Sequence, residues 1–460
     1  MVFSSLVFLF RFMPVFFIIY YLVPARFKNF VLFTGSMIFY AWGEPKYSIL
    51  IICSLTVNYC MAIFMDRFDP FLRGLERKVL LILTLFYDIG MLFVFKYTGF
   101  VVSTINSIAH TEIPVPNIML PLGISFYTFQ IMSYVIDVYL QKIEVERSYL
   151  NLGTYLVMFP QLIAGPIVKF HSVETGLKRR RVHHINIENG FKIFTMGLGC
   201  KVIFANSLGN IWTACQEAGY DNISTLFAWM GIAAYTLQLY FDFSGYSLMA
   251  IGLGQMLGFR FPENFKHPYA SRSITEFWKK WHISLTSWFR EYLYIPLGGN
   301  RMGAARTVLN MFIVWLITGL WHGAAWNFVL WGIYYFVIIM IERLFLKKLF
   351  LDRSVFFSRI YTLIIVMLGW VLFAAPSLSE AVVYISRMFT INPGTDFIEY
   401  FYTYWYIFVL AVIFATPFPS RWYRKHRKNP ISFIFLLAVF FISVGLLVDS
   451  VYNPFLYFRF

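Results

Sequence analysis

Charge is what this chain has least of. Only 13% of its 460 residues are Asp, Glu, Lys or Arg, about half the ~25% of an ordinary soluble domain. Acid is scarcer than base, 23 residues against 38, which leaves a formal charge of +15. Cysteine is scarce too. The four residues (Cys53, Cys60, Cys200, Cys215) form no Cys-x-x-Cys pair, so neither a disulfide framework nor a zinc site is indicated. No His-Glu-x-x-His occurs, and neither His282 nor His322 has a second carboxylate beside it. A metal centre needs three or four converging ligands, so none is expected. A Gly-x-Ser-x-Gly elbow is missing, which removes a hydrolase of that type. A glycine-rich phosphate cradle is missing as well, since Gly252-Leu-Gly254 sits inside an apolar helix. There is no internal repeat, no low-complexity tract and no cleavable signal pattern. In place of charge the chain has 59% hydrophobic and 21% aromatic residues. That composition belongs to the bilayer, with aromatic rings suited to lipid-facing surfaces and interfacial belts. The basic excess then belongs to loops facing anionic lipid. No aromatic-interleaved basic domain stands outside the apolar runs, so nucleic acid is not expected as a partner.

Apolar runs of spanning length fall at about 2–22, 28–42, 47–65, 79–97, 117–140, 191–214, 225–256, 307–326, 328–347, 356–376, 400–419 and 431–451. They predict a single all-α polytopic domain over residues 1–460, with about 11–13 transmembrane helices. Basic loops alternate with weakly charged or acidic ones such as Gln216–Asp221 and Pro393–Glu399. Positive-inside bias then places the basic loops in the cytoplasm and both termini outside. Two stretches are not simple crossings. Residues 151–170 are interrupted by Pro160, Gly165 and Pro166 and have basic flanks on both sides, as expected of a re-entrant segment buried in protein. Residues 258–306 form a long cytoplasmic stretch. Within it Ser273 and Glu276 read as a capping box. Trp278, His282, Leu285 and Phe289 follow at helical spacing, predicting one amphipathic helix at the interface. The run Lys178–Arg181 reads as a solvated, lipid-facing loop.

The stretch from Gln238 to Trp331 holds two polar candidates inside apolar runs, His322 and Asp242. His322 lies in the run Thr307–Ala325, some 15 residues and therefore ~20 Å along a helix. An imidazole at such depth is a functional candidate by default, against the plainer reading of a hydrogen bond between helices. Gly319 and Gly323 make the small-xxx-small pattern of closely packed helices. Asp242 is the other polar candidate of this stretch. It could orient a histidine, accept from Lys279 or Arg272, or tie helices together. A buried histidine beneath an amphipathic helix carrying another suits general-base activation of a hydroxyl. The rival is a lipid-linked glycan transporter or flippase with His322 and Asp242 in a proton relay, but repeat symmetry and paired broken helices are not visible.

Seven segments, in order along most of the chain, resemble the membrane-bound O-acyltransferase family in its bacterial polysaccharide-acetylating branch. They are Pro121–Gln130, Phe159–Pro166, Phe241–Tyr246, Pro262–Phe265, Phe277–Ser284, Tyr292–Arg301 and Gly319–Trp326. The resemblance implies that His322, in its Trp-His-Gly motif, is the catalytic base and His282 the second characteristic histidine. It implies a tunnel whose lining would include Tyr240, Asp242, Ser244, Trp278, Trp281, Trp321 and Asn327. It further implies a bacterial inner-membrane protein with no bound cofactor and acetyl-CoA, or an acyl-carrier thioester, as donor. The acceptor would be an extracytoplasmic polysaccharide or cell-wall glycan, served by an extracytoplasmic partner of the SGNH (Ser-His-Asp hydrolase) type. D-alanyl transfer from a carrier protein to teichoic acid is the neighbouring alternative. Two departures stand out: Leu248 where the family has an acid, and Lys279-Lys280 in place of two arginines. The C-terminal Asn453–Phe460 is also similar to a family ending, in which the tyrosine, here Tyr457, would carry the acyl group; the plainer reading is an interfacial aromatic.

Overall fold

The computed structural model describes residues 1–68, 73–163, 165–449 and 456, and every side chain among them except those at 347–350. Among the described residues there are helices and turns and no strand. Eight helices are long and apolar enough to cross a membrane: Ser48–Asp66, Gly74–Ala109, His184–Ala218, Ala304–His322, Trp326–Leu346, Val355–Ala374, Ile398–Ala415 and Pro430–Asp449. The protein is thus an all-α polytopic membrane protein. The other four apolar runs of the sequence fall short in one of two ways. Phe8–Leu22, Lys28–Ala41 and Ile124–Tyr139 are short helices, while Thr225–Met256 has 32 residues but carries Gln238 and Asp242. Large apolar side chains on the spans point outward, as at Phe401, Trp405, Val409 and Val412 of one helix. That is the surface lipid requires.

The chain forms two compact units. The first comprises residues 1–194 and 249–262. Here Arg77 is buried, and its guanidinium donates to the carbonyls of Met65, Phe68, Val138 and Tyr139. The interrupted segment becomes two helices, Tyr149–Val157 and Phe159–Leu162, with Met158 turned extended between them. At ~1.5 Å per residue neither is long enough to cross a bilayer. Side chains from Leu152 to Ile163 are buried throughout, which suits irregular backbone at membrane depth.

The second unit comprises residues 195–248 and 263–460. Its centre is a helical hairpin. Ala304–His322 runs to a three-residue turn, Gly323–Ala325, and returns as Trp326–Ile341. A Cβ on Gly319 would strike the carbonyl of Phe328, and one on Gly332 the carbonyl of Trp315. The two backbones therefore touch, as expected for Gly319. Gly323 has a different role from the one its spacing suggested. It lies beyond the helix with φ −161° and ψ 153°, where the Phe328 ring occupies the space of a Cβ. His322 is consequently not part-way along a span: it is the last residue of its helix, ~27 Å from the Ala304 end.

Candidate active site

Four elements of the second unit bring the predicted residues together. His322, 4% exposed, ends the first arm of the hairpin. Its ring lies 5.1 Å from that of Trp321, 4.9 Å from Trp331 and 5.3 Å from Phe373. His282, 1% exposed, lies 4.7 Å from Phe243 and 6.1 Å from Trp321. Trp321 thus stands against both imidazoles. Around them Trp278 packs edge-on to Trp331 and Tyr335, at 5.4 and 4.9 Å. Trp281 meets Trp370 at 5.0 Å and Tyr240 at 6.3 Å. The buried indole N–H groups of Trp278 and Trp331 and the Tyr335 hydroxyl make no hydrogen bond among the described residues. Polar groups of that kind inside an apolar wall ask for a partner. A carbonyl oxygen of a substrate is a fitting one.

The amphipathic helix expected across Trp278–Phe289 is broken at His282. It forms two seven-residue helices, Ile274–Lys280 and Ile283–Phe289. His282 itself is left-handed, with φ 46° and ψ 54°, a conformation unusual for a residue with a Cβ. Strain of this kind persists only where the surroundings impose it. Here they do so through Asn264. Its carbonyl accepts from the Ile283 N–H at 3.0 Å, and its side-chain oxygen accepts from the N–H and hydroxyl of Ser284 at 3.1 and 3.0 Å. One buried asparagine therefore satisfies the start of the second helix and fixes the bend. The first helix starts as predicted, with Ser273 Oγ accepting from the Glu276 N–H. Glu342 adds a second cap, accepting from the N–H groups of Ile274 and Thr275 at 2.6 and 3.0 Å. Replacing Asn264 by leucine should lower stability by ~1–3 kcal/mol, the cost of buried donors left unmet. It should also reduce acyl transfer, as read by thermal unfolding in detergent and a transfer assay.

Burial pushes His282 down to about 3, so its ring is neutral at physiological pH. A histidine whose pKa is lower folded than unfolded binds fewer protons in the folded state, and stability rises with pH between the two values. The His282 contribution is therefore intact above ~6.5 and declines as pH falls towards about 3. In thermal unfolding, His282→Gln should flatten the acid-side loss of stability by up to ~1.4 kcal/mol per pH unit.

The remaining predicted residues divide. Ser244 is buried one helical turn beyond Tyr240. Asn327 is buried at the start of the second hairpin arm and donates to the Ala375 carbonyl at 3.1 Å. Asp242 is engaged by neither Lys279 nor Arg272. One carboxylate oxygen pairs with Lys201, itself 3% exposed, and the other accepts from the Leu456 N–H at 2.8 Å. Lys201 comes from a widened π turn, Cys200–Ala205, in close reach of the long helix because Gly245 has no side chain to hold Gly197 and Lys201 away. Tyr457 lies outside the described residues. Among the described residues no group of three or more His, Cys, Asp or Glu converges as a metal site would. Trp331, Trp370, Phe373, Asn264 and Lys201 are the additions. Asn264 and Trp331 lie in or next to segments of chemical interest, whereas Trp370 and Phe373 look like ordinary apolar span.

The family model for the membrane-bound O-acyltransferase family, MBOAT, matches residues 141–384. The chain belongs to the membrane-bound O-acyltransferase family. It is 41% identical over 403 residues to the probable alginate O-acetylase of Azotobacter vinelandii, covering 86% of this chain and 79% of that one. The corresponding protein of Pseudomonas putida is 36% identical over the whole of both chains. The peptidoglycan O-acetyltransferase of Helicobacter pylori is 32% identical over 85% of this chain and 80% of its own. This chain is accordingly a multi-pass membrane O-acyltransferase. The transporter reading gives way to an enzyme.

Proposed function

We propose that this O-acyltransferase takes acetyl from a cytosolic thioester, acetyl-CoA, and passes it across the bacterial inner membrane to an extracytoplasmic polysaccharide or cell-wall glycan. The observation that carries the reading is His322 at the hairpin tip, walled by Trp321, Trp331 and Phe373, in a chain similar to alginate and peptidoglycan O-acetylating relatives. His322 acts as general base on a hydroxyl. His282, neutral and fixed by the Asn264 bend, positions Trp321 and the substrate against it. The dry aromatic wall strengthens each polar contact inside it.

The acyl acceptor in the first step is the Tyr457 hydroxyl. His322 takes the phenolic proton, the oxygen attacks the thioester carbonyl, and the C–S bond breaks. The thiolate leaves and takes up a proton, giving a tyrosyl ester and free thiol. A phenol of pKa ~10 is both a workable nucleophile and a good leaving group, so the ester can pass its acetyl onward. Support comes from Leu456, the residue before Tyr457, whose N–H is held by Asp242. The second acceptor is the serine of an SGNH-type partner outside the membrane, which acetylates the sugar. Both termini then lie on the extracytoplasmic side. Acetyl is favoured over D-alanyl because acetylating relatives match over most of both chains. Membranes supplied with radiolabelled acetyl-CoA test this directly: label should map to Tyr457, and Tyr457→Phe should abolish polymer acetylation. Intact acetylation in that variant would remove the relay.

A further inference from the structure

Within the first unit, the run Lys178–Arg181 is not a uniformly solvated loop. Arg179 and Arg181 are exposed, but the Arg180 side chain turns inward between the rings of Phe259 and Tyr20, at 4.5 and 5.5 Å. Gly258, at φ +89°, makes room for its stem, since a Cβ there would lie 2.8 Å from Arg180 Cγ. Arg180 Nη2 donates to Asn29 Oδ1 at 2.9 Å. The Asn29 amide is aimed by its own donations to Asn151 and the Leu177 carbonyl, at 2.8 and 2.9 Å. Among the described residues the buried Arg180 Nε and Nη1 have no partner in hydrogen-bond geometry, and the other polar group beside the guanidinium is the Tyr20 hydroxyl. Lys28 stands on the same phenol, its ammonium 5.0 Å from the Tyr20 ring centre. Among the described residues no carboxylate acts on Lys28 or Arg180. Burial, and after it the Arg180 charge, holds Lys28 below the ordinary lysine range.

A guanidinium with buried, unmet donors is costly unless an anion meets it, and the half-buried Lys28 adds a second positive charge beside it. The nearby carbonyls of Met256 and Leu257 are already taken by the Tyr21 and Tyr20 hydroxyls. The helix end they belong to supplies only about half a negative charge. A planar guanidinium beside an ammonium is the pairing that suits a phosphate. The helix that carries Tyr20 buries Phe16, Phe17 and Tyr20 and turns Val15, Ile18, Ile19 and Leu22 outward as an exposed apolar face, the surface lipid requires.

We propose that Arg180 and Lys28 form a phosphate-binding site, filled by the headgroup of an anionic phospholipid or by the phosphorylated end of the thioester donor. The donor case rests on the function proposed above; the lipid case does not. The test uses the full-length protein purified in detergent, with two probes. Native mass spectrometry measures retained phosphatidylglycerol. Equilibrium dialysis measures coenzyme A against 3′-dephospho-coenzyme A. A lipid site predicts that wild type retains phosphatidylglycerol and Arg180→Gln loses about tenfold of it, the effect of a lost charge-assisted hydrogen bond. A donor site predicts about tenfold weaker coenzyme A binding in that variant, with dephospho-coenzyme A affected less. Arg180→Lys should recover part of either loss. Lys28→Gln, at a half-buried position, reads the same site if Arg180→Gln fails to fold. Unchanged binding of both probes in folded variants overturns the proposal. Both probes are read without acetyl transfer, so a failure of this site and a failure of the acetyltransferase reading are told apart.

Discussion

His322→Ala should lower acyl transfer by ~10²–10⁴-fold, the usual worth of a general base, with the protein still present in the membrane at the wild-type level. The ring is buried between Trp321, Trp331 and Phe373, so some loss of stability will accompany the change. His322→Gln, closer in size, separates the two effects: it should restore thermal stability and leave transfer as poor as in the alanine variant. The assay is label from acetyl-CoA appearing on the protein or on polymer at matched expression. Equal transfer by wild type and His322→Gln would take the imidazole out of the chemistry and leave it a structural role at the hairpin tip.

The second large effect concerns the buried ion pair. Lys201→Met should cost ~3–5 kcal/mol, because the Asp242 carboxylate is then left buried without its counter-charge. Replacing both, as Lys201→Met with Asp242→Leu, should recover most of that loss, since an apolar pair of similar volume is often as stable as a buried salt bridge. Transfer should nevertheless stay low in the double variant. The carboxylate that holds the Leu456 N–H is gone, and the C-terminal segment loses its anchor. Thermal unfolding and transfer measured on wild type and these two variants separate folding from positioning. A double variant that is both stable and fully active would show that the anchor has no part in transfer.

Much of this was legible in the residues. The scarcity of charge indicates the membrane class, and ordered motifs such as Phe277–Ser284 and Gly319–Trp326 single out two histidines that the fold sets against one ring, Trp321. The hairpin turn was less legible, because Gly319 and Gly323 share a spacing but not a conformation; only packing against Phe328 tells them apart. The break at His282 was hidden for a related reason. Trp278, His282, Leu285 and Phe289 keep helical spacing, while the bend is imposed by Asn264, eighteen positions upstream. Lys201 could not be read as the partner of Asp242 because its position depends on a π turn and on a neighbouring glycine. Arg180 looked like its neighbours. Nothing local distinguishes one arginine of a run from the next, and its inward turn depends on Gly258 and Phe259 far along the chain.

The glycine seam of the hairpin has a mechanical consequence. Where two backbones touch, at Gly319 and Gly332, there are no side chains between them to change rotamer, and a three-residue turn leaves no slack. The two arms can tilt only together, as one stiff lever. A substrate cannot reach His322 by parting that seam. The hairpin holds the His322 ring in one setting against Trp331, and whatever reacts there must come to a base that does not move to meet it.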